Sequence, residues 1–86
     1  MLSFAFMLKK QEMLLTELLP GQKATIVRFT TEDIFLKLME MGCLPGEDIE
    51  IIKIAPLKDP VSISVAGYVL SLRLDEAKQI VVSINN

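Results

Sequence analysis

The sequence predicts a mainly β domain with one α-helix and a short helical turn, arranged as a small, partly open β-barrel. Three observations lead there. A chain of 86 residues makes one small domain, which buries only roughly 60–65% of the surface its unfolded form would expose and leaves little room for a deep catalytic cleft. Hydrophobic residues are 51% of the chain and aromatic residues 6%, so Ile, Leu and Val, with a few Met and Phe, must build the core. Short runs of these residues are separated by Pro-Gly, Ala-Gly and Pro-rich stretches, the punctuation of short strands joined by tight turns.

Residues 1–13 read as an N-terminal extension. The apolar run from Met1 to Leu8 falls well short of the ~20 residues that span a bilayer. No basic residue precedes it and no small-residue cleavage site follows, so it is a poor signal peptide. Met7 and Met13 are alternative starts, and the extension is either a short docking helix or a start-site artefact. From Leu14 to Asn86 the chain reads as a complete domain.

Leu14 to Gln22 ends in the Pro20-Gly21 turn, which launches a strand over Lys23–Phe29. Thr30-Thr31-Glu32-Asp33 supplies an N-cap and an acidic first turn for a helix reaching about Met41. Ile34, Leu38 and Met41 form its buried stripe with Phe35 and Met39 beside it, while Lys37 and Glu40 face away. Gly42 closes the helix, Leu44-Pro45-Gly46 turns, and Asp48–Ala55 follows as a strand rich in isoleucine. Pro56 and Pro60 cannot donate to a sheet ladder, so the strand stops and a rigid loop stands at the surface. Val61, Ile63 and Val65 point inward from the next strand, Ala66-Gly67 makes a two-residue hairpin turn, and Tyr68–Leu74 returns with Tyr68, Leu70, Leu72 and Leu74 on one side. A helical turn at Asp75–Lys78, N-capped by Asp75, precedes a closing strand with Ile80, Val82 and Ile84. Five short strands with these two helical pieces suit a partly open barrel of the SH3-like kind.

The chemistry available is narrow. Eleven acidic against nine basic residues give a net charge of −2, dispersed without the concentrated basic face that nucleic-acid binding needs. The absence of histidine removes the commonest metal ligand and excludes Ser-His and Cys-His triads. Cys43 is the only cysteine, so it can form neither an intramolecular disulfide nor a thiolate zinc cluster; a reducing, cytoplasmic setting and a small semi-buried apolar role follow. Asp33, Glu47, Asp48, Glu50, Asp59 and Asp75 fall at caps, turns and strand ends, where solvated roles suffice, and their spacing matches no calcium loop. No Walker lysine or phosphate-cradling glycine loop is present. The chain is therefore read as a non-enzyme without a cofactor or a metal site. Arg73, on the polar side of an aliphatic strand, is either an exposed arginine with its stem laid over the barrel or an anchor for an acidic partner.

Four segments then carry a resemblance. Thr16-Glu17-Leu18-Leu19-Pro20-Gly21-Gln22, Leu38-Met39-Glu40-Met41-Gly42-Cys43-Leu44-Pro45-Gly46, Ala55-Pro56-Leu57-Lys58-Asp59-Pro60, and Gly67 to Arg73 with Glu76-Ala77 stand in an order and spacing that resemble the FeoA family of bacterial ferrous iron uptake, over about Leu14 to Ile84. The resemblance implies a cytoplasmic SH3-like barrel, recruited to the inner face of the membrane by FeoB, a membrane GTPase that conducts Fe²⁺. It implies an accessory that is itself neither GTPase nor pore and does not insert into the membrane. On this reading Leu44, Pro45, Ala55, Pro56 and Leu57 form an apolar docking surface, with Lys58 and Arg73 at its rim. Leu57 is the sharpest choice, because a leucine held beside rigid prolines has little reason to be tucked inside. The extension departs from the usual family start; Phe4, Phe6 and Leu8 would cover an apolar patch on a second copy, which makes a homo-oligomer an expectation. The competing reading is a stand-alone regulatory module related to the C-terminal SH3-like domain of DtxR-type iron-dependent repressors. A generic polyproline-binding SH3 domain is disfavoured by the low aromatic count.

Overall fold

A computed structural model describes residues 11–84. Six strands form one antiparallel sheet among the described residues, in the order β1-β6-β2-β3-β4-β5, and the sheet does not close. The strands are β1 (Gln11–Leu14), β2 (Lys23–Phe29), β3 (Asp48–Ile54), β4 (Val61–Val65), β5 (Tyr68–Leu72) and β6 (Ile80–Ile84). A 3-10 turn covers Leu15–Glu17, α1 covers Phe35–Glu40 and α2 covers Leu74–Ala77. The mainly β, partly open architecture is the one expected; the strand count rises from five to six. The added strand, β1, pairs with β6 from Gln11↔Ile84 to Leu14↔Val81. It occupies residues 11–13 of the segment for which a short helix was one expectation, whereas Phe4, Phe6 and Leu8 lie outside the described residues.

The core is aliphatic. Leu15, Leu18, Ile26, Leu38, Ile51, Ile63, Leu72, Ile80 and Val82 are almost wholly removed from solvent, each side chain contributing about 1.5–3 kcal/mol by burial. Val61, Ile63 and Val65 point inward as their alternation requires, and Val65↔Tyr68 closes the hairpin over Ala66-Gly67. Bulges break the period in the two longest strands. The register of β2 against β6 shifts between Ile26 and Arg28, and that of β3 against β4 between Ile51 and Lys53. An extra residue turns the following side chains over, so Lys53 is exposed and Ile54 half-buried, the reverse of what unbroken alternation from Ile49 and Ile51 would give.

Strand β6 lies between β1 and β2, and its second face is covered as well. Glu12 Oε1 on β1 and Arg28 Nη1 on β2 meet at 2.7 Å. Their strand partners are Ser83 and Val81 respectively, so the ion pair arches over β6 and both of those residues are buried.

The helices depart from expectation in their starts. Thr30-Thr31-Glu32-Asp33 does not cap α1, whose N-cap is Ile34 without a side-chain bond. Instead the Thr30 N–H donates to the Gln79 carbonyl at 2.9 Å, and the Thr31 hydroxyl donates to Gln79 Oε1. The C-terminus closes as the sequence suggests: Cys43 N–H reaches the Leu38 carbonyl at 2.9 Å and Gly42 N–H that of Met39 at 3.0 Å, a Schellman arrangement with Gly42 at φ +92°. Phe35 and Met39 are partly exposed and Leu36 is 65% exposed. Lys37 is exposed as expected, and its ammonium reaches Glu76 on α2. Asp75 is not the N-cap of α2: Arg73 holds that position and Leu74 has left the strand to begin the helix. Strand β3 ends one residue short of Ala55.

Candidate functional site

The Leu44–Glu47 turn and the Ala55–Pro60 loop lie at opposite ends of β3, about 20 Å apart at the rise of a strand. The structure therefore does not bring Leu44 and Pro45 together with Pro56 and Leu57. At the first end Glu47 N–H donates to the Leu44 carbonyl at 3.0 Å, and Gly46 N–H to that of Ile26 at 2.8 Å. Pro45 and Gly46, with φ +95°, thus occupy the central positions of a turn clamped to β2. Leu44 is half-buried and Pro45 exposed.

At the other end Lys58 N–H donates to the Ala55 carbonyl at 2.7 Å and Ala55 N–H to that of Pro60 at 3.2 Å. The loop is closed on itself, with Pro56 and Leu57 at its tip. Leu57 is 88% exposed, the most of any large apolar residue described. Lys58 carries its side chain from a left-handed backbone, φ +67°, a conformation that L side chains adopt at a cost. Asp59 Oδ1 accepts the Leu74 N–H at 3.1 Å, which ties the loop to the start of α2 and sets exposed Arg73 beside it. Ala55, Pro56, Leu57, Lys58 and Arg73 thus share one end of the domain.

That end also holds a groove the sequence reading missed. It encloses about 280 Å³ and is lined by the 15–19 segment, Ile54, Lys58, Val61 and Leu74. Leu15, Leu18 and Val61 make its buried floor, while Leu19 is 66% exposed at its margin. The signal was the leucine pairs Leu14-Leu15 and Leu18-Leu19, more apolar surface than one face of a short turn can bury. A wider, open hollow of about 520 Å³ lies along β2 and β3, lined by Lys23, Ala24, Thr25, Asp48, Ile49, Glu50 and Ser64. Thr25 Oγ1 donates to Asp48 Oδ1 there at 2.8 Å.

Glu76 is the titratable group that sequence reasoning passed over. It is buried, which by itself would raise its pKa. The hydrogen bond from Lys37, the Arg73 N–H at 2.9 Å, and the charges of Lys37 and Arg73 outweigh that burial and hold the pKa below the ordinary carboxylate value. Cys43 is fully buried; desolvation first, and the Glu76 charge second, push its thiol up to about 11. A neutral thiol is a poor nucleophile and metal ligand. Among the described residues no three Cys, Asp or Glu side chains converge as a metal site, and no helix is long and apolar enough to cross a membrane.

The described residues form an open, mainly β domain with an exposed, closed loop at one end. The chain belongs to the FeoA domain family, whose model matches residues 13–84, and the SH3-like fold is that of the family. It is 40% identical over 73 residues to an Fe(2+) transport protein A/Fe(2+) transporter FeoB fusion protein of Porphyromonas gingivalis, covering 84% of this chain and 9% of that much longer protein. The solved FeoA-like protein of Clostridium acetobutylicum superposes with a TM-score of 0.82 at 33% identity, over 91% of this chain and 92% of its own. IdeR of T. acidophilum matches with a TM-score of 0.75 at 34% identity, over 86% of this chain and 34% of IdeR.

Proposed function

We propose that this chain is a non-catalytic accessory of bacterial ferrous iron uptake, which binds a FeoB-type membrane GTPase and Fe²⁺ transporter and modulates its assembly or activity. The observation that carries the reading is the Porphyromonas gingivalis relative, in which the FeoA and FeoB parts share one polypeptide. Linking two modules holds them at high effective concentration, and separate chains that work together must replace the linker with an interface. The docking face is the closed loop Ala55, Pro56, Leu57 and Lys58 with Arg73 beside it: an apolar tip that loses little entropy on binding, rimmed by cations. Leu44 and Pro45 supply a second contact at the far end of β3. The chain acts at the cytoplasmic face of the membrane, held there by its partner.

Retention of FeoB from detergent-solubilised native membranes, with this chain as bait and with or without guanine nucleotide, tests the reading. Absence of FeoB under every nucleotide condition contradicts it. The likeness to IdeR at 34% identity favours a second reading, a stand-alone regulatory module related to the SH3-like domain of DtxR-type repressors. A stand-alone module of that kind would retain a helix-turn-helix protein in the same experiment.

A further inference from the structure

The two edges of the open sheet are unlike. β1 carries Glu12, whose pairing with Arg28 arches over β6, and a charged residue on an edge strand discourages a further strand from adding there. β5, the other edge, reads Tyr68-Val69-Leu70-Ser71-Leu72, without a charge, a proline or a glycine and in unbroken register with β4. Val69 is 62% and Tyr68 52% exposed, and Leu70 is only half-buried. The strand itself thus holds none of the usual devices that keep another chain from an edge.

The hairpin turn decides which main-chain groups of β5 are free. Ala66 at φ +51° and Gly67 at φ +89° are both left-handed, the mark of a two-residue turn in which Val65 and Tyr68 exchange the closing ladder bonds. Bonded and non-bonded positions alternate from there. Tyr68, Leu70 and Leu72 turn their N–H and C=O groups toward β4, while Val69 and Ser71 turn theirs outward. Among the described residues no turn, cap or loop hydrogen bond engages the main chain of Val69 or Ser71. The edge therefore presents their donors and acceptors in a row with nothing opposite them.

That row is self-complementary. Antiparallel pairing about a two-fold axis at Leu70 sets Val69 opposite Ser71 of the second copy and Ser71 opposite its Val69, and each pair exchanges both bonds, so every free group is satisfied. A two-fold at Val69 would instead leave Ser71 facing the turn glycine. On the inner face Leu70 meets its own copy and Tyr68 meets Leu72, at the close approach of non-hydrogen-bonded pairs. No charged side chain opposes another within the paired strands. We infer that β5 is a dimerisation edge, at which two copies of this chain pair β5 to β5 and join their sheets into one. The contact is isologous and consumes both β5 edges, so it stops at two copies. It is short, which places it among weak associations that form as concentration rises.

Sedimentation velocity and heteronuclear NMR of the full chain, from micromolar to millimolar concentration and at low and high salt, test this. The wild type is expected to pass from monomer to dimer and no further, with little dependence on salt. Exchange of the Val69 and Ser71 amides should slow as the dimer forms, while those of Tyr68, Leu70 and Leu72 are protected at every concentration. A sample mixed from labelled and unlabelled chains should show a contact between the Leu70 Hα atoms of the two copies. Ser71→Pro removes an outward N–H without touching the ladder to β4, and Val69→Lys sets a charge on the edge. Each is expected to fold and to stay monomeric, and either alone suffices should the other fail to fold. A wild type that is monomeric throughout, a dimer that survives these substitutions, or protection that arises at Gln11–Leu14 or residues 1–10 in place of Val69 and Ser71 would overturn the inference.

Discussion

The Lys37 ammonium on α1 pairs with Glu76 Oε2 on α2, while Glu76 Oε1 accepts the Arg73 N–H at 2.9 Å. One buried carboxylate thereby caps α2 from its own third residue and fastens α1 to it. It does so near Cys43, whose thiol is raised first by burial and then by that same negative charge.

Glu76→Ala removes both bonds and is expected to cost about 1–2 kcal/mol, whereas Glu76→Gln, which can keep the cap, costs less. Because the folded pKa of Glu76 is lowered from 4.5, its contribution is complete above that value and disappears as pH falls through the lower folded value. Urea midpoints followed from pH 7 downward should therefore fall more steeply for the wild type than for Glu76→Gln below about pH 4.5. Parallel curves would show that the pair contributes nothing.

Gly42 has φ +92°, and a Cβ built on it would lie 2.7 Å from the Tyr68 hydroxyl oxygen. Gly42→Ala is expected to destabilise by about 1–2 kcal/mol, mostly through the backbone, because a half-exposed tyrosine can move. The same substitution in a Tyr68→Phe background should cost slightly less but not nothing. Thermal unfolding of the four proteins separates the two parts.

Much of the fold is legible in the residues. The β4–β5 hairpin follows from strict alternation and Ala66-Gly67, and the end of α1 follows from Gly42. What was not legible depends on meetings between distant segments. Gln11–Leu14 has no strand pattern of its own and becomes β1 by pairing with β6. Ser83 is buried because Glu12 and Arg28 close over it, and Thr30 and Thr31 are drawn to Gln79 rather than to the helix they precede. At the candidate site the exposure of Leu57 follows from its place beside Pro56. The groove does not, since it needs Leu18, Val61 and Leu74 brought together from three parts of the chain.

Lys58 holds φ +67°. Lys58→Gly is expected to relieve that conformation and raise stability by roughly 0.5–1 kcal/mol, while weakening partner retention through loss of the cation. Opposite movement of the unfolding midpoint and of partner binding marks a residue kept for its side chain. Equal losses in both would mark a structural one.

Cys43 is expected to resist thiol reagents at pH 8 until the protein unfolds, because it is buried and its pKa is about 11. Labelling with and without denaturant checks this. Cys43→Ser, which places a hydroxyl in the same site, should cost about 1–3 kcal/mol.

The central claim is that the Leu57 loop holds a FeoB-type partner, and the most direct measurement compares wild type with Leu57→Glu as baits for FeoB in solubilised membranes. At 88% exposure the substitution should change stability by less than about 0.5 kcal/mol, so the unfolding midpoint serves as the control. Retention of FeoB by the wild type and its loss in an equally stable Leu57→Glu is the result predicted. Equal retention by both proteins would contradict the account.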